Sequence, residues 1–384
     1  GETQAIQCIE ELINNLLHMI NNTPMDIIDR NTFHTHLLLV AECSKIIVKY
    51  LPHWLIVITN EILPLAYKFQ QLHMGNAIKG SQIKDAANFI IWSWSRCPRL
   101  PNTVVCDLIK FLLVTTLFDR DFLIRKSSNA ALQELLGRHG KSVLGNMTTM
   151  NIIQLPIHNI HVSFQTNLIN VYKICQEENS QQGNDIYDYM VRWLFEQNVM
   201  INFDLDIVLL SANALAQFHN DTPTYPLLNI IKQYLAESTI TRSLTCSRML
   251  YLLTESSKDD IETFSTELQS LSVTIETTKF GPSVGKNEYF QYLTLLHYWN
   301  VCLMHNSFTF TTDRVTLFYK IMSGINEQNP WFDQFNTISH ELFDKLGHIE
   351  PTKGFWTLFE KALKSNKPLV CSSLPMLSQH NLSL

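Results

Sequence analysis

Phe118-Asp119-Arg120-Asp121-Phe122-Leu123-Ile124-Arg125-Lys126-Ser127-Ser128-Asn129-Ala130-Ala131-Leu132-Gln133-Glu134-Leu135-Leu136-Gly137-Arg138-His139-Gly140 is the stretch from which the fold is read. Asp119 stands at the end of one helix, with a carboxylate placed to cap the next. Arg125 follows at a distance that lets it reach back over the connection to that carboxylate. Ile124, Ser128, Ala131 and Leu135 recur at helical spacing and form one face, small where a neighbouring helix packs closely. Gly137 and Gly140 are read as the end of the helix.

An acidic residue, then an apolar-arginine pair, then small residues one turn apart is the pattern of the second helix of a HEAT repeat. Asp119, Arg125 and Gly137 are therefore expected to hold one repeat to the next. Outward from this stretch the same periodicity recurs. Ile6, Ile9, Ile13, Leu16, Leu17 and Ile20 make an amphipathic helix that stops at Asn21-Asn22-Thr23-Pro24. Further helices are expected near 33–50, 52–70, 82–97, 102–118 and 120–137, then 164–176, 184–198, 204–219, 223–237, 239–255, 258–271, 287–305, 311–325, 330–345 and 354–364. They come in pairs of about 40 residues, the period of HEAT and armadillo arrays. The expected fold is all-α, a HEAT/armadillo-like α-solenoid of about eight helix pairs, continuous over residues 1–384. The helix over 102–118 is apolar nearly all round, which suits one layer of a two-layer stack. Gln176–Asn184 and Thr277–Lys286 read as surface loops, and Lys141–His161 as the least helical part of the first half, an extended excursion.

The composition agrees with helices and excludes several functions. Hydrophobic residues make up 46% of the 384, while Gly (12) and Pro (13) are scarce, so a large core forms with few breaks. The formal charge of -6 gives no basic footprint for nucleic acid or for anionic lipid. The longest apolar run, Leu108–Phe118, is far short of the roughly 20 residues a membrane span needs. The eight cysteines stand singly without CxxC pairs, which argues against structural zinc or a disulfide framework and for reduced core residues. The absence of a leader-like first stretch, with Glu2, Glu10 and Glu11 interrupting it, reads as a soluble, cytoplasmic protein.

No motif for chemistry exceeds its ordinary explanation. Phe280-Gly281-Pro282-Ser283-Val284-Gly285-Lys286-Asn287 has three residues between its glycines and Asn after the lysine, so it is no phosphate loop. His34/His36 and His158/His161 have zinc-like spacing, but no HExxH exists and none of them sits near a cysteine pair. GxSxG is absent, and Cys106 and Cys302 lie in apolar contexts that do not activate a thiol. Asp259-Asp260 and Glu177-Glu178 read as solvated helix starts and loops. No catalytic, cofactor or metal residue is assigned, and no small-molecule substrate is expected. Trp92, Trp94, Arg120, Asp121 and Arg138 are taken as candidates for contact with a protein partner, tryptophan and arginine being frequent at interface hot spots.

The same central stretch resembles the tubulin-folding cofactor D family (tubulin-specific chaperones D). There a Phe-Asp-Arg-Asp run precedes a basic, alanine-rich helix and a Gln-Glu…Gly-Arg-Gln-Gly ending. Gln133-Glu134, Gly137-Arg138 and Gly140 match it, and His139 replaces the family's Gln. Lys84-Asp85-Ala86-Ala87-Asn88-Phe89-Ile90-Ile91-Trp92 is similar to an Arg-Asp-Ala-Ala-Cys-Tyr-Val-Cys-Trp helix of the family, and His34 with Ala41-Glu42 to a Trp-His-Gly…Leu-Ala-Glu helix. Ala212-Asn213-Ala214-Leu215 fits an alanine-rich helix downstream. The resemblance spans roughly 30–222 and is not traceable over 223–384; the family's chains are much longer, so a fragment or a reduced, divergent member is expected. It implies a non-catalytic scaffold that binds β-tubulin and works with cofactors C and E and an Arf-like small GTPase. It implies a part in forming and dissociating the αβ-tubulin dimer, with any GTPase stimulation arising in the assembly, and association with microtubules. A generic HEAT adaptor of the transport or phosphatase kind, and an enzyme with a site near Lys141–His161, are the alternatives from other classes.

Overall fold

A computed structural model describes residues 2–24, 27–69, 79–178, 181–196, 205–237, 292–293, 295–300, 303, 311–325 and 332–347. Every regular element among them is helical, so the fold is all-α, as the periodicity implies. The expected helices at 239–255, 258–271 and 354–364, and the Phe280–Asn287 loop, lie outside the described residues. The chain divides into two compact units, Gly1–Leu210 and Ser211–Leu384.

The first unit is built from helix pairs. α1 (Glu2–Asn22) buries Ile9, Ile13 and Leu16 against α2 (Arg30–Glu42). Asp29 starts α2 by accepting from the Asn31 amide at 3.2 Å. The short α3 (Ser44–Tyr50) leads into one long path made of α4 (Pro52–Val57), a π turn (Ile58–Ile62) and α5 (Leu63–Lys68). Pro64, which has no amide to donate, sits just past that turn; the wider turn lets the helix pass a residue that would otherwise break it. α6 (Gly80–Ser95) packs against this path. α7 (Asn102–Phe118) and α8 (Phe122–Leu135) form the next pair.

Two layers result. α1, the 52–68 path and α7 pack side by side as the first layer. α2, α6 and α8 pack side by side as the second. α7 explains its own composition: α5, α8, α11 (Ile160–Glu178) and α12 (Gln181–Glu196) all cover it, so it keeps no broad polar face. Ile124, Ser128, Ala131 and Leu135, the face expected to pack, are all buried.

Beyond α8 the structure departs from the sequence reading. α8 does not end at Gly137 or Gly140: a second π turn (Leu136–Gly140) and α9 (Lys141–Leu144) continue it. The residue that ends this run is Gly145, whose φ of 80° suits glycine. The expected extended excursion is mostly helical, with α10 (Asn146–Ile153) burying Thr148, Thr149 and Ile152 and only residues 154–159 forming an irregular connection. The loop expected at Gln176–Asn184 is mostly helix, since α11 runs to Glu178 and α12 starts at Gln181. Its polar side chains bond across the corner: Gln176 Nε2 donates to the Tyr187 hydroxyl (3.2 Å), which donates to Asn184 Oδ1 (3.1 Å).

α13 (Leu205–Asp221) follows, carrying Ala212-Asn213-Ala214-Leu215, and then α14 (Leu227–Glu237), α15 (Thr312–Gly324) and α16 (Phe332–Gly347). Within the second unit, Asn300 Nδ2 donates to the carbonyls of Leu296 (3.0 Å) and Ile338 (3.3 Å). Trp299 meets the edge of Phe318 at 6.3 Å, so residues 295–300, α15 and α16 share a core. No single described helix is long and apolar enough to cross a membrane.

Candidate functional site

The corner between α7 and α8 places the sequence-selected residues, though not in the expected arrangement. Asp121, not Asp119, caps α8, accepting from the Leu123 amide at 2.9 Å. Asp119 Oδ1 instead accepts from the Asp121 amide (2.9 Å), and its Oδ2 pairs with Lys84 of α6 at 2.5 Å. The offset has a simple reason. The helix begins only when the chain has turned, two residues beyond the acid that starts the turn.

Arg125 is 4% exposed and does not pair with the Asp119 carboxylate. Its guanidinium donates to four backbone carbonyls: Asp119 (2.8 Å), Arg120 (3.0 Å), Ile157 (3.0 Å) and His158 (3.2 Å). The planar fork suits this role, since its donors point in fixed directions around one plane. It ties the α7–α8 corner to the connection preceding α11. Burial lowers its pKa and the Asp119 and Asp121 charges raise it. Ser163 and Asn167 continue the seam: Ser163 Oγ donates to the Leu117 carbonyl (2.6 Å), and Asn167 Nδ2 to the Pro156 carbonyl (2.8 Å).

A neighbouring buried network was not selected from the sequence. Tyr67 of α5 donates to Asn88 Oδ1 (2.7 Å), and Asn88 Nδ2 donates to Ser127 Oγ (2.8 Å) and Ser128 Oγ (2.9 Å) of α8. Asn88 thus joins both layers. Burial pushes the Tyr67 hydroxyl well above its ordinary pKa, so it stays a donor. An amide inside the apolar run Ala86–Ile91 was the available signal.

The two tryptophans separate. Trp94 is fully buried, so it is a core residue and not a contact candidate. Trp92 is half-buried on the outer face of α6, stacked on Phe89 at 5.9 Å and with the Arg96 guanidinium 4.7 Å from its ring. Arg138 pairs with Glu134 at 2.6 Å on the π-turn end of α8, and Arg96 approaches the same carboxylate at 4.0 Å. Arg120 is exposed, and Gly137 faces open space. Gly137 therefore makes no close helix contact; Gly140 does, since a Cβ there would stand 2.9 Å from Thr149 Oγ1 and 3.0 Å from Leu136 Cδ2.

Among the described residues no group of His, Cys, Asp or Glu is placed to hold a metal ion. Burial raises the pKa of the Cys97 and Cys106 thiols, the opposite of an activated nucleophile. Cys8, expected in the core, is exposed, while Cys97, Cys106 and Cys175 are buried and in no disulfide.

Residues 4–145 match the family of tubulin-specific chaperone D-like proteins, ARM repeats. The match runs from α1 to Gly145, the same span over which the α2–α6–α8 layer is built, and begins ahead of the residue 30 expected from the sequence. The chain is 28% identical over 163 residues to Tubulin-folding cofactor D of Schizosaccharomyces pombe, covering 40% of this chain and 14% of that protein. It is 24% identical over 181 residues to Tubulin-specific chaperone D of Dictyostelium discoideum, covering 45% of this chain and 11% of that protein. The chain thus spans a small part of the relatives it matches. No solved structure matches it. The resemblance to the tubulin-folding cofactor D family holds for the first part of the chain.

Proposed function

We propose that this chain is a tubulin-folding scaffold that holds β-tubulin and takes part in assembling and disassembling the αβ-tubulin dimer. Cofactors of the C and E types and an Arf-like small GTPase act with it, and GTPase stimulation belongs to that assembly, not to this chain alone. It works in the cytoplasm, near microtubules.

The carrying observation is the coincidence of two boundaries. The stretch similar to tubulin-specific chaperone D-like ARM repeats ends where the stack of second-layer helices ends. The similarity therefore covers the whole α2–α6–α8 layer, helices of successive repeats packed side by side, and such surfaces are what repeat arrays offer to large clients.

Co-purification is the direct test. The full chain, immobilised and incubated with a cell extract and then with purified αβ-tubulin, retains β-tubulin in both cases. An array that retains no tubulin from either source refutes the proposal and leaves a general adaptor. Melting temperatures measured with GTP, ATP or zinc stay flat; a rise with any of them points to an enzyme instead.

A further inference from the structure

The second layer has two unlike ends. At its α6–α8 C-terminal edge the cations gather: Lys45 after α2, Arg96 and Arg99 after α6, Arg138 and Lys141 after α8, all exposed. Two contacts and one charge effect tie Lys45, Arg96 and Arg138 to one surface. His139 Nε2 lies 2.9 Å from the Ser95 carbonyl, binding the π turn of α8 to the end of α6. Arg96 and Arg138 converge on Glu134. Lys45 is close enough to Cys97 to lower its pKa against the dominant effect of burial. Glu42 and Glu134 are the carboxylates on the same edge. The cations outnumber them on a chain whose formal charge is -6.

Four features make this edge more than a solvated rim. Helix C-termini carry a partial negative charge, which holds cations in place there. The π turn adds a residue to α8 just where His139 reaches the end of α6, and such turns recur at functional sites. Trp92 stacks on Phe89 and meets the Arg96 guanidinium over its ring, putting apolar surface next to the charge. Arg96 and Arg138 share one carboxylate, Glu134, so guanidinium donors are left over for an incoming one.

We propose that this edge binds an acidic, extended segment of a partner protein, its carboxylates on Arg96, Arg138 and Lys141 and an apolar side chain on Trp92. The inference deepens the scaffold reading above and rests on it for the identity of the partner. A peptide fits better than a nucleic acid: a few cations on a net-negative chain attract scattered carboxylates, but give too weak a field for a phosphate backbone.

The test uses the full chain and a fluorescein-labelled peptide of glutamates with one central leucine, against the same peptide with glutamines. Anisotropy shows binding of the glutamate peptide that weakens as salt rises, and at least tenfold weaker binding of the glutamine peptide. R96Q/R138Q weakens the glutamate peptide by at least tenfold, and Trp92→Ala by a smaller factor, at unchanged helical content. Lys126→Gln, at the other end of α8, changes nothing. Equal binding of both peptides, no loss in R96Q/R138Q, or stronger binding of single-stranded DNA or of anionic vesicles overturns the proposal. Tubulin retention separates it from the scaffold reading. Peptide binding without tubulin refutes the tubulin partner only, and tubulin retained at full strength by R96Q/R138Q refutes this edge only.

Discussion

The two ends of the α2–α6–α8 layer are made of the same helices and behave as opposites. At the N-terminal end, polar side chains turn inward: Arg125 serves four carbonyls, Asn88 links Tyr67 to Ser127 and Ser128, and Asp119 pairs with Lys84. At the C-terminal end, arginines and lysines turn outward and share one glutamate. The first arrangement fixes repeats to each other; the second leaves charge available to something else. A repeat array has to separate these tasks, because a residue that holds the stack cannot also release it to grip a client.

The sharpest way to break the comparison is Arg125→Ala. It removes a buried cation and leaves four carbonyls without their donor, so a loss of about 3–4 kcal/mol is expected. Urea unfolding followed by circular dichroism measures it. A loss under about 1 kcal/mol means the carbonyls find water and the seam does not hold the stack. At the other end, two glycines of one π turn should respond in opposite ways. Gly140→Ala drives a Cβ into Thr149, whose branched side chain has little freedom to move, and costs about 1–3 kcal/mol. Gly137→Ala meets nothing and restricts only the unfolded chain, stabilising by roughly 0.5 kcal/mol. Parallel melting curves of the two variants check both signs; equal shifts would mean that the turn rearranges.

The sequence made the stack legible and the seams only partly so. Helical periodicity identifies α1, α7 and α8 because their faces are continuous, and the small residues Ser128 and Ala131 mark where α6 packs. The Asp119–Arg125 spacing located the right corner and the wrong partner. Carbonyl oxygens carry no residue identity, and Ile157 and His158 are brought to Arg125 only by folding. Trp92 and Trp94 sit about 200° apart around a helix, so one must face in, yet spacing alone cannot say which. The basic edge escapes a linear reading because Lys45, Arg96 and Arg138 belong to three successive repeats. Only the stack makes them neighbours.

The choice of carbonyls as Arg125's partners has a consequence for the conditions under which the array survives. Neither a guanidinium nor an amide oxygen changes its proton count across the range in which proteins work. The Arg125 clasp, unlike the Asp119–Lys84 pair, contains no carboxylate. Likewise, a side-chain replacement at 157 or 158 leaves in place the oxygen that Arg125 holds. The joint is indifferent to acidity and tolerant of drift in the residues it grasps.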